Sequence, residues 1–280
     1  MTWIHWLASY PKSGNTWLRI LLQSYLAGGT AVDINKLTVG NWRSGERARF
    51  DEDIGVASSD LTGGEIQAWR AAAIQAWVRT LTQPVYLKIH DTRSTIAESD
   101  DLAPGMTRSA IYLVRDPRDV ALSLARHMTV SVDQAITFMG TLDQLMEQSR
   151  RRLHARLIEH WGSWSQNVES WLAPAPFPVH VLRYEALRSD PEAALLGVLT
   201  ALALPLEPEK IRAAVAVAAL DKLRDQERTS GFIEGLGAGA FFGEGRVQGW
   251  RGRLTARQIA QIEADHGPVM RCLGYLDVDY

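Results

Sequence analysis

Residues 6–26, WLASYPKSGNTWLRILLQSYL, have the pattern of a buried strand, a tight turn and an amphipathic helix. Pro11 ends the strand, and Gly14 permits a turn that points backbone amides inward. The amino terminus of the following helix attracts anions, and Lys12 adds a compact positive charge beside it. The stretch therefore predicts an anion-binding loop in an α/β fold. The alternative is a capped helix whose lysine faces solvent.

This turn differs from the standard nucleotide-binding loop, G-x-x-x-x-G-K-[ST], in the order of its residues. Lys12 comes before Gly14 here, and no lysine–hydroxyl pair follows the glycine. In the standard loop that hydroxyl binds Mg²⁺, so metal-assisted phosphoryl transfer is disfavoured. A kinase-like phosphotransferase that uses ATP and magnesium is therefore retained only as a second hypothesis.

Short apolar runs of strand length alternate with helical patterns along the chain. Strands are predicted over residues 3–9, 85–90, 109–115 and 179–184. Helices are predicted over residues 15–27, 64–81, 117–128, 150–172, 191–203, 207–220 and 255–273. The alternation predicts one α/β domain over residues 1–280, with a P-loop-like central parallel sheet flanked by helices on both faces. Segments 28–63 and 229–249 are predicted to be long loops or lids.

The composition of the 280 residues limits the possible classes of function. A net charge of −2 argues against a general nucleic-acid binder, which would be basic. The amino terminus lacks the pattern of a signal peptide, and no run approaches the ~20 apolar residues of a membrane span. The single cysteine, Cys272, allows no intrachain disulfide and is predicted to be buried on the last helix. We therefore expect a cytoplasmic protein without a membrane partner.

The carboxyl ends of the four predicted strands carry polar residues, namely Tyr10–Thr16, His90, Arg115 and Tyr184. Ligands of open parallel sheets bind beyond this edge. Lys88 and His90 lie two residues apart on one strand, so both side chains point to the same face. Burying the two together is costly unless they serve a ligand. The alternative for His90 is a structural histidine with satisfied hydrogen bonds.

A second anion site is predicted where the third strand meets the following helix. Arg115 ends the strand, Asp116 caps the helix, and Ser123 lies about two turns further on. A forked guanidinium and a short hydroxyl can bind one phosphate together. The alternative is an ion pair of Arg115 with Asp116 or Asp119. Arg118 is expected at the surface or at the helix cap.

YPKSGNTW, residues 10–17, strongly resembles the 5′-phosphosulfate loop of sulfotransferases that use 3′-phosphoadenosine 5′-phosphosulfate (PAPS), whose pattern is close to Y-P-K-[SA]-G-[TN]-T-W. The resemblance implies PAPS as co-substrate, adenosine 3′,5′-bisphosphate (PAP) as product, and no metal. It implies that the 5′-phosphosulfate end is held by Lys12, Ser13, Gly14, Asn15 and Thr16, with Trp17 near the adenine. It also implies that Arg115 and Ser123 hold the 3′-phosphate.

The same family carries its catalytic histidine in a K-[TS]-H strand end, which corresponds to Lys88-Ile89-His90 here. Sulfuryl transfer needs a base for the acceptor proton, and histidine has a suitable pKa. It also needs a cation near the leaving oxygen, which a lysine supplies. The resemblance therefore implies His90 as general base, with Lys12 and Lys88 stabilising the leaving phosphate.

Two further segments resemble the family more weakly. VLRYEALRSDP, residues 181–191, resembles the strand whose tyrosine approaches the adenine, which implies a binding role for Tyr184; a core tyrosine is the alternative. FFGEGRVQGWRGRLT, residues 241–255, resembles the carboxyl-terminal R-K-G-x-x-G-x-W-x-x-x-[FL]-T segment. In this segment Phe241 is a candidate for stacking on the adenine.

The carboxyl-terminal segment departs from the family pattern at two positions. Gly243 and Glu244 stand where the pattern has arginine and lysine, whereas Gly245 is kept as a cofactor-binding candidate. Arg246 follows directly and is a candidate replacement for the missing charge. A non-enzymatic nucleotide-binding or scaffold protein is the third hypothesis, because this departure favours it.

The sequence as a whole predicts a PAPS-dependent sulfotransferase that resembles the bacterial members of the family. The expected reaction is in-line transfer of a sulfuryl group to a hydroxyl or amine of a small molecule. The acceptor and the oligomeric state are left open, and the partner is expected to be a small molecule rather than nucleic acid.

Overall fold

Four parallel strands form a central sheet in the computed structural model, which describes residues 2–40, 45–93, 105–146, 154–235 and 239–277. These strands are β1 (Ile4–Ser9), β2 (Val85–Ile89), β3 (Thr107–Val114) and β6 (Val179–Arg183), and a separate antiparallel pair consists of β4 (Leu145–Met146) and β5 (Glu159–His160). The order across the sheet is β2-β1-β3-β6, with every pair parallel. The predicted strands and their parallel arrangement are confirmed.

Eleven α-helices surround the sheet within the described residues. They are α1 (Asn15–Leu26), α2 (Arg47–Ile54), α3 (Gly63–Val78), α4 (Pro117–Met128), α5 (Val132–Gly140), α6 (Trp164–Leu172), α7 (Tyr184–Ser189), α8 (Pro191–Ala201), α9 (Pro208–Val217), α10 (Leu220–Ser230) and α11 (Ala256–Cys272). A 3₁₀ turn covers Ser58–Asp60. None of the helices in the described ranges is long and apolar enough to cross a membrane.

Each face of the sheet packs against its own set of helices, because successive strand residues point to opposite faces. Trp6 and Ala8 of β1 belong to one apolar cluster, which also contains residues of α3, α4, α5, α6 and α11. Leu7 belongs to a second cluster, which contains residues of α1, α7, α8, α9 and α10. The predicted layers, with helices on both faces of the sheet, are therefore confirmed.

Several helices differ from the sequence prediction. The helix predicted over 150–172 begins only at Trp164, because Ser163 forms a capping box with Gln166. Residues 150–153 lie outside the described ranges. The helix predicted over 207–220 is α9 and ends at Val217; α10 follows it and lies almost wholly outside the predicted range. The predicted loop 28–63 contains α2.

Cys272 is exposed rather than buried, so the prediction for this residue is wrong. The buried face of α11 is formed by Ile262, His266, Val269 and Met270, which follow a helical spacing. Cys272 does not share that spacing and faces away from the core.

The strand register places the four predicted polar ends at one edge of the sheet. Ala8 pairs with Ile89 and Ser9 with Leu113, so β1, β2 and β3 end side by side. The next residue of each strand is therefore brought to the same edge, as expected for parallel strands.

Candidate active site

An open cleft lies beyond this edge of the sheet and contains nearly all of the predicted site residues. Those that line it are Lys12, Gly14, Asn15, Thr16, Trp17, Lys88, His90, Arg115, Ser123, Tyr184, Phe241, Gly245 and Arg246. The remaining one, Ser13, is fully buried in the loop, and its hydroxyl has no hydrogen-bond partner within the described residues. The fold thus brings together residues from five separate segments of the chain.

Backbone conformation fixes the shape of the first loop. Lys12 and Gly14 have φ angles of +67° and +103°, in the left-handed region. A Cβ atom on Gly14 would lie 2.6 Å from Cδ2 of Tyr184, so only glycine fits there. The Asn15 amide donates to the Leu7 carbonyl at 2.9 Å and to Ser9 Oγ at 3.2 Å, which ties the loop to β1.

Lys12 sits in an unusually positive part of the cleft. Its Nζ lies 3.8 Å from the centre of the Phe241 ring, a cation–π contact. Burial, with help from the charges of Arg126 and Arg115, lowers the pKa of Lys12 to about 7. A bound anion would relieve both the burial cost and the repulsion, so this end of the cleft favours a negatively charged ligand.

His90 is held in one tautomer by its hydrogen bonds. Its Nδ1 lies 2.7 Å from the Ser9 carbonyl oxygen, which can only accept, so Nδ1 carries the proton. Nε2 of the neutral ring is then the basic nitrogen. Burial, followed by the charge of Lys88, holds the pKa of His90 well below its usual value. The buried imidazole is therefore neutral, with Nε2 as its acceptor nitrogen.

Lys88 forms an ion pair that the sequence did not predict. Its Nζ lies 3.2 Å from Glu234 Oε2, and Nη1 of Arg19 lies 2.9 Å from the other carboxylate oxygen. Burial lowers the pKa of Lys88 to about 7, and the charge of Glu234 opposes this shift. Glu234 follows α10 and lines the cleft, so it provides the counter-charge for two buried cations.

Arg115 connects the first loop with the carboxyl-terminal segment. Its guanidinium donates to the carbonyls of Lys12 at 3.3 Å and Arg246 at 3.0 Å, and lies 4.3 Å from the centre of the Tyr184 ring. Its Nε is buried and has no hydrogen-bond partner within the described residues. The alternative ion pair with Asp119 is present only at 4.0 Å.

Arg118 is buried in the first turn of α4, where its amide bonds to the cap residue Asp116, so the expected position at the helix cap is confirmed and the surface alternative is wrong. Its guanidinium donates to both carboxylate oxygens of Asp116 and pairs with Glu263 at 2.9 Å. It also stacks 4.1 Å over the Trp250 ring and donates to the Tyr275 carbonyl. Asp116 caps α4 as predicted, by accepting from the Arg118 amide. This network anchors α4 without contributing to the cleft.

Aromatic residues line the cleft next to the first loop. Trp17 donates its indole proton to the Ala218 carbonyl at 2.8 Å and meets Tyr184 edge-on at 6.2 Å between ring centres. Phe241 packs against Phe232 at 4.6 Å. Gly245 has a φ of +64°, and a Cβ there would lie 3.2 Å from the Tyr184 hydroxyl. Aromatic rings on this side of the cleft can stack on a planar base.

Four further charged residues of the cleft were missed by the sequence reasoning: Arg126, Arg156, Arg253 and Glu234. Arg126 lies three residues after Ser123 on α4, so the two share one helix face. That spacing is a signal that could have identified it. Glu234 and Arg253 have no comparable pattern, because only tertiary packing brings them to the site.

Known proteins of one family match this chain along nearly its whole length. The sequence model of the sulfotransferase domain matches residues 5–274. Sulfotransferase 1A1 of Rattus norvegicus is 21% identical over 273 residues, covering 94% of this chain and 83% of the relative. Cytosolic sulfotransferase 15 of Arabidopsis thaliana is 25% identical over 279 residues, covering 92% of this chain and 69% of the relative.

Solved structures share the fold. Mouse sulfotransferase SULT7A1, complexed with PAP, has a TM-score of 0.62 and 16% identity, covering 98% of this chain and 88% of that chain. Retinol dehydratase, in complex with androsterone and the inactive cofactor PAP, has a TM-score of 0.60 and 17% identity, covering 99% of this chain and 82% of that chain. The chain belongs to the sulfotransferase family, as the resemblance of its motifs predicted.

Proposed function

We propose that this enzyme transfers a sulfuryl group from PAPS to a hydroxyl or amine of a small molecule. The observation that carries the proposal is the shared cleft, where a neutral buried histidine and two lysines meet an anion-binding loop. Related folds have been solved with PAP, and one of them also with androsterone, which supports this cofactor and an acceptor of small-molecule size. A cytosolic location is part of the proposal, since two Arabidopsis relatives are cytosolic sulfotransferases.

Unsatisfied polar atoms of the cleft support the fit of this cofactor. The Ser13 hydroxyl and the Arg115 Nε are buried without a partner within the described residues, and phosphate oxygens would satisfy them. The 5′-phosphosulfate end would be held by Lys12, Ser13, Gly14, Asn15 and Thr16. The 3′-phosphate would be held by Arg115 and Ser123, with Gly245 and Arg246 close by. The adenine would be held by Trp17, Tyr184 and Phe241.

His90 is the general base of the proposed reaction. Its Nε2 takes the proton as the acceptor oxygen or nitrogen attacks sulfur and the bond from sulfur to the bridging oxygen breaks. The bridging electron pair leaves with PAP, and Lys12 and Lys88 stabilise the negative charge that develops there. Lys88 can serve this role once it exchanges Glu234 for the leaving phosphate.

Thermal unfolding with three nucleotides tests the choice of cofactor. PAP at ~100 times its dissociation constant is expected to stabilise the protein by about 2.7 kcal/mol, raising Tm by about 5 °C or more. AMP should shift Tm less, because it lacks the 3′-phosphate. A shift by magnesium ATP alone would instead support the kinase-like phosphotransferase.

Turnover with PAPS tests the catalytic role of His90. His90→Ala should lower kcat at least about hundredfold, the usual contribution of a general base, while PAP affinity stays near the wild-type value. His180→Ala is the matched control, since His180 lies half-buried on β6 and does not line the cleft. Full turnover by His90→Ala would remove the histidine from the mechanism.

A further inference from the structure

The glycine at position 243 is explained by a side chain from another element. A Cβ atom built on Gly243 would lie 2.5 Å from Nη2 and 2.7 Å from Nη1 of Arg126, which belongs to α4. The φ angle of Gly243 is outside the left-handed region, so the backbone itself does not require glycine. The guanidinium of Arg126 therefore fills the space that a side chain at position 243 would use.

Arg126 shares its part of the cleft with several other cations. Arg115, Arg253 and Lys12 line the same cleft. Within the part of the chain that the structure describes, Arg126 makes no ion pair or hydrogen bond through its guanidinium. Arg126 is only partly buried; this partial burial and the charges of Arg115 and Arg253 lower its pKa, against the charges of Glu244 and Glu227, and Arg126 in turn lowers the pKa of Lys12. Cations gathered in this way form a site for an anion of high charge.

Arg246, the candidate from the sequence, is oriented differently. Its Nε pairs with Glu244 at 2.9 Å, and its side chain is 65% exposed. Its contact with Arg115 is made by the backbone carbonyl rather than by the guanidinium. The positive charge of Arg246 is thus already neutralised at the rim of the cleft.

We propose that Arg126 supplies the guanidinium that binds the 3′-phosphate of the nucleotide, in place of a basic side chain at position 243. Ser123 and Arg126 lie on one face of α4, and Arg115 approaches from the end of β3. The 3′-phosphate would thus be bound by side chains of α4, and the missing side chain at Gly243 leaves space for the Arg126 guanidinium. The inference rests on the proposed function, because it assumes that the ligand is a 3′-phosphorylated adenosine nucleotide.

Calorimetric titration with PAP and with AMP tests the inference. Arg126→Ala should weaken PAP about tenfold or more, the usual size of a charged hydrogen bond, and AMP by less than about threefold. Arg257→Ala is the matched control, because Arg257 is an 84% exposed arginine on α11 that does not line the cleft. An unchanged ratio of PAP to AMP affinity in Arg126→Ala would overturn the inference.

A sharper test moves the positive charge from position 126 on α4 to position 243 in the carboxyl-terminal segment. Arg126→Ala removes the atoms that obstruct position 243, so Arg126→Ala combined with Gly243→Arg should recover most of the lost preference for PAP. Gly243→Arg in the presence of Arg126 should instead weaken PAP, since the two side chains compete for one space. If the double variant has a normal Tm but recovers no preference for PAP over AMP, an arginine at position 243 cannot replace Arg126, and the inference is contradicted.

The wild-type protein separates this inference from the proposed function. Equal affinity of the wild type for PAP and AMP would mean that no 3′-phosphate site exists, and the proposed cofactor would fail. A wild-type preference for PAP that persists in Arg126→Ala, but disappears in Arg246→Ala, would assign the charge to Arg246 and overturn only the present inference.

Discussion

The amino-terminal loop (residues 10–17) and the glycine-rich segment (residues 239–253) both line the cleft, but they are held in place differently. The loop is fixed mainly by its own backbone and by Asn15, which bonds to the neighbouring strand β1, with one bond from Arg115 to the Lys12 carbonyl. The glycine-rich segment is fixed by side chains of other elements. Its backbone is bonded by Arg115, Asp119, Arg188, Arg224 and Glu227.

This difference explains why one segment keeps its family pattern and the other departs from it. The turn of the loop cannot be supplied from elsewhere, because the left-handed backbone at Lys12 and Gly14 forms it. A charge in the glycine-rich segment can be supplied by any element that reaches the same space, and Arg126 of α4 does so at Gly243. A site formed by a backbone turn can therefore be predicted from the local sequence. A site formed by a charged side chain is harder to predict, because different segments can supply the charge.

Gly14→Ala is expected to cause the largest losses of stability and of PAP affinity. The change combines a φ of +103° with a Cβ that would collide with Tyr184 at 2.6 Å. The free energy of unfolding should fall by about 2 to 4 kcal/mol, from backbone strain and overpacking together. PAP affinity should fall by at least about a hundredfold, as the loop is displaced. Urea unfolding and calorimetric titration measure the two effects.

Gly28→Ala is the matched control for this prediction. Gly28 has a φ of +79°, yet no atom lies within 4 Å of the position of its missing Cβ. Gly28→Ala should therefore lose only about 1 kcal/mol of stability, from backbone strain, and should bind PAP with unchanged affinity. Equal losses in the two variants would show that Tyr184 does not shape the loop.

Glu234→Gln is expected to have the next largest effect. The change removes the negative charge between Lys88 and Arg19, and leaves two buried cations poorly compensated. The ligand-free protein should lose about 2 kcal/mol of stability, and Tm should fall by about 5 °C. The Tm shift caused by PAP should become larger than in the wild type, because the ligand then supplies the missing charge.

Glu209→Gln controls for the loss of an exposed ion pair. Glu209 is 88% exposed and pairs with Arg212 on the surface of α9. Such pairs contribute little to stability, so Tm should stay nearly constant. A Glu234→Gln variant that behaves in the same way would mean that the carboxylate is not a buried counter-charge.

The sequence predicted correctly those strands and helices whose local apolar pattern matches the burial seen in the structure. The four strands and the helix after the first loop were found to within two residues, since each combines an apolar run with a clear turn signal. Helix α10 was missed, because Leu223 is its only fully buried residue and its sequence is otherwise polar. Glu234 was missed because contacts across more than a hundred residues define its role. Arg126 had a local signal, its spacing of three residues from Ser123 on α4, which the prediction did not use.

The change of PAP affinity with pH is expected to be smaller than the effect of Glu234→Gln and larger than that of Gly243→Ala. The pKa of Lys12 is about 7 in the ligand-free protein, and the charge of the ligand should raise it. Above pH 7 the complex then holds more protons than the free protein, so affinity should fall as pH rises. One linked proton gives at most about a tenfold fall for each pH unit, or about 1.4 kcal/mol.

Titration at pH 8 in buffers of different ionisation enthalpy measures this proton uptake directly. Lys12→Met should reduce the number of protons taken up, while the contribution of Lys88, whose pKa is also about 7, remains. Binding without proton uptake in the wild type would mean that Lys12 is already charged before the ligand arrives.

Gly243→Ala should have the smallest effect, although it adds the same methyl group as Gly14→Ala. The three atoms nearest to its Cβ would all belong to the end of the flexible Arg126 side chain, which can move by a rotamer change. PAP affinity should fall by about threefold or less, under 1 kcal/mol. In an Arg126→Ala background the same change should have no effect, because the two residues are coupled only by contact. A hundredfold loss would place Gly243 with Gly14 as a backbone requirement, and the contrast between the two segments would disappear.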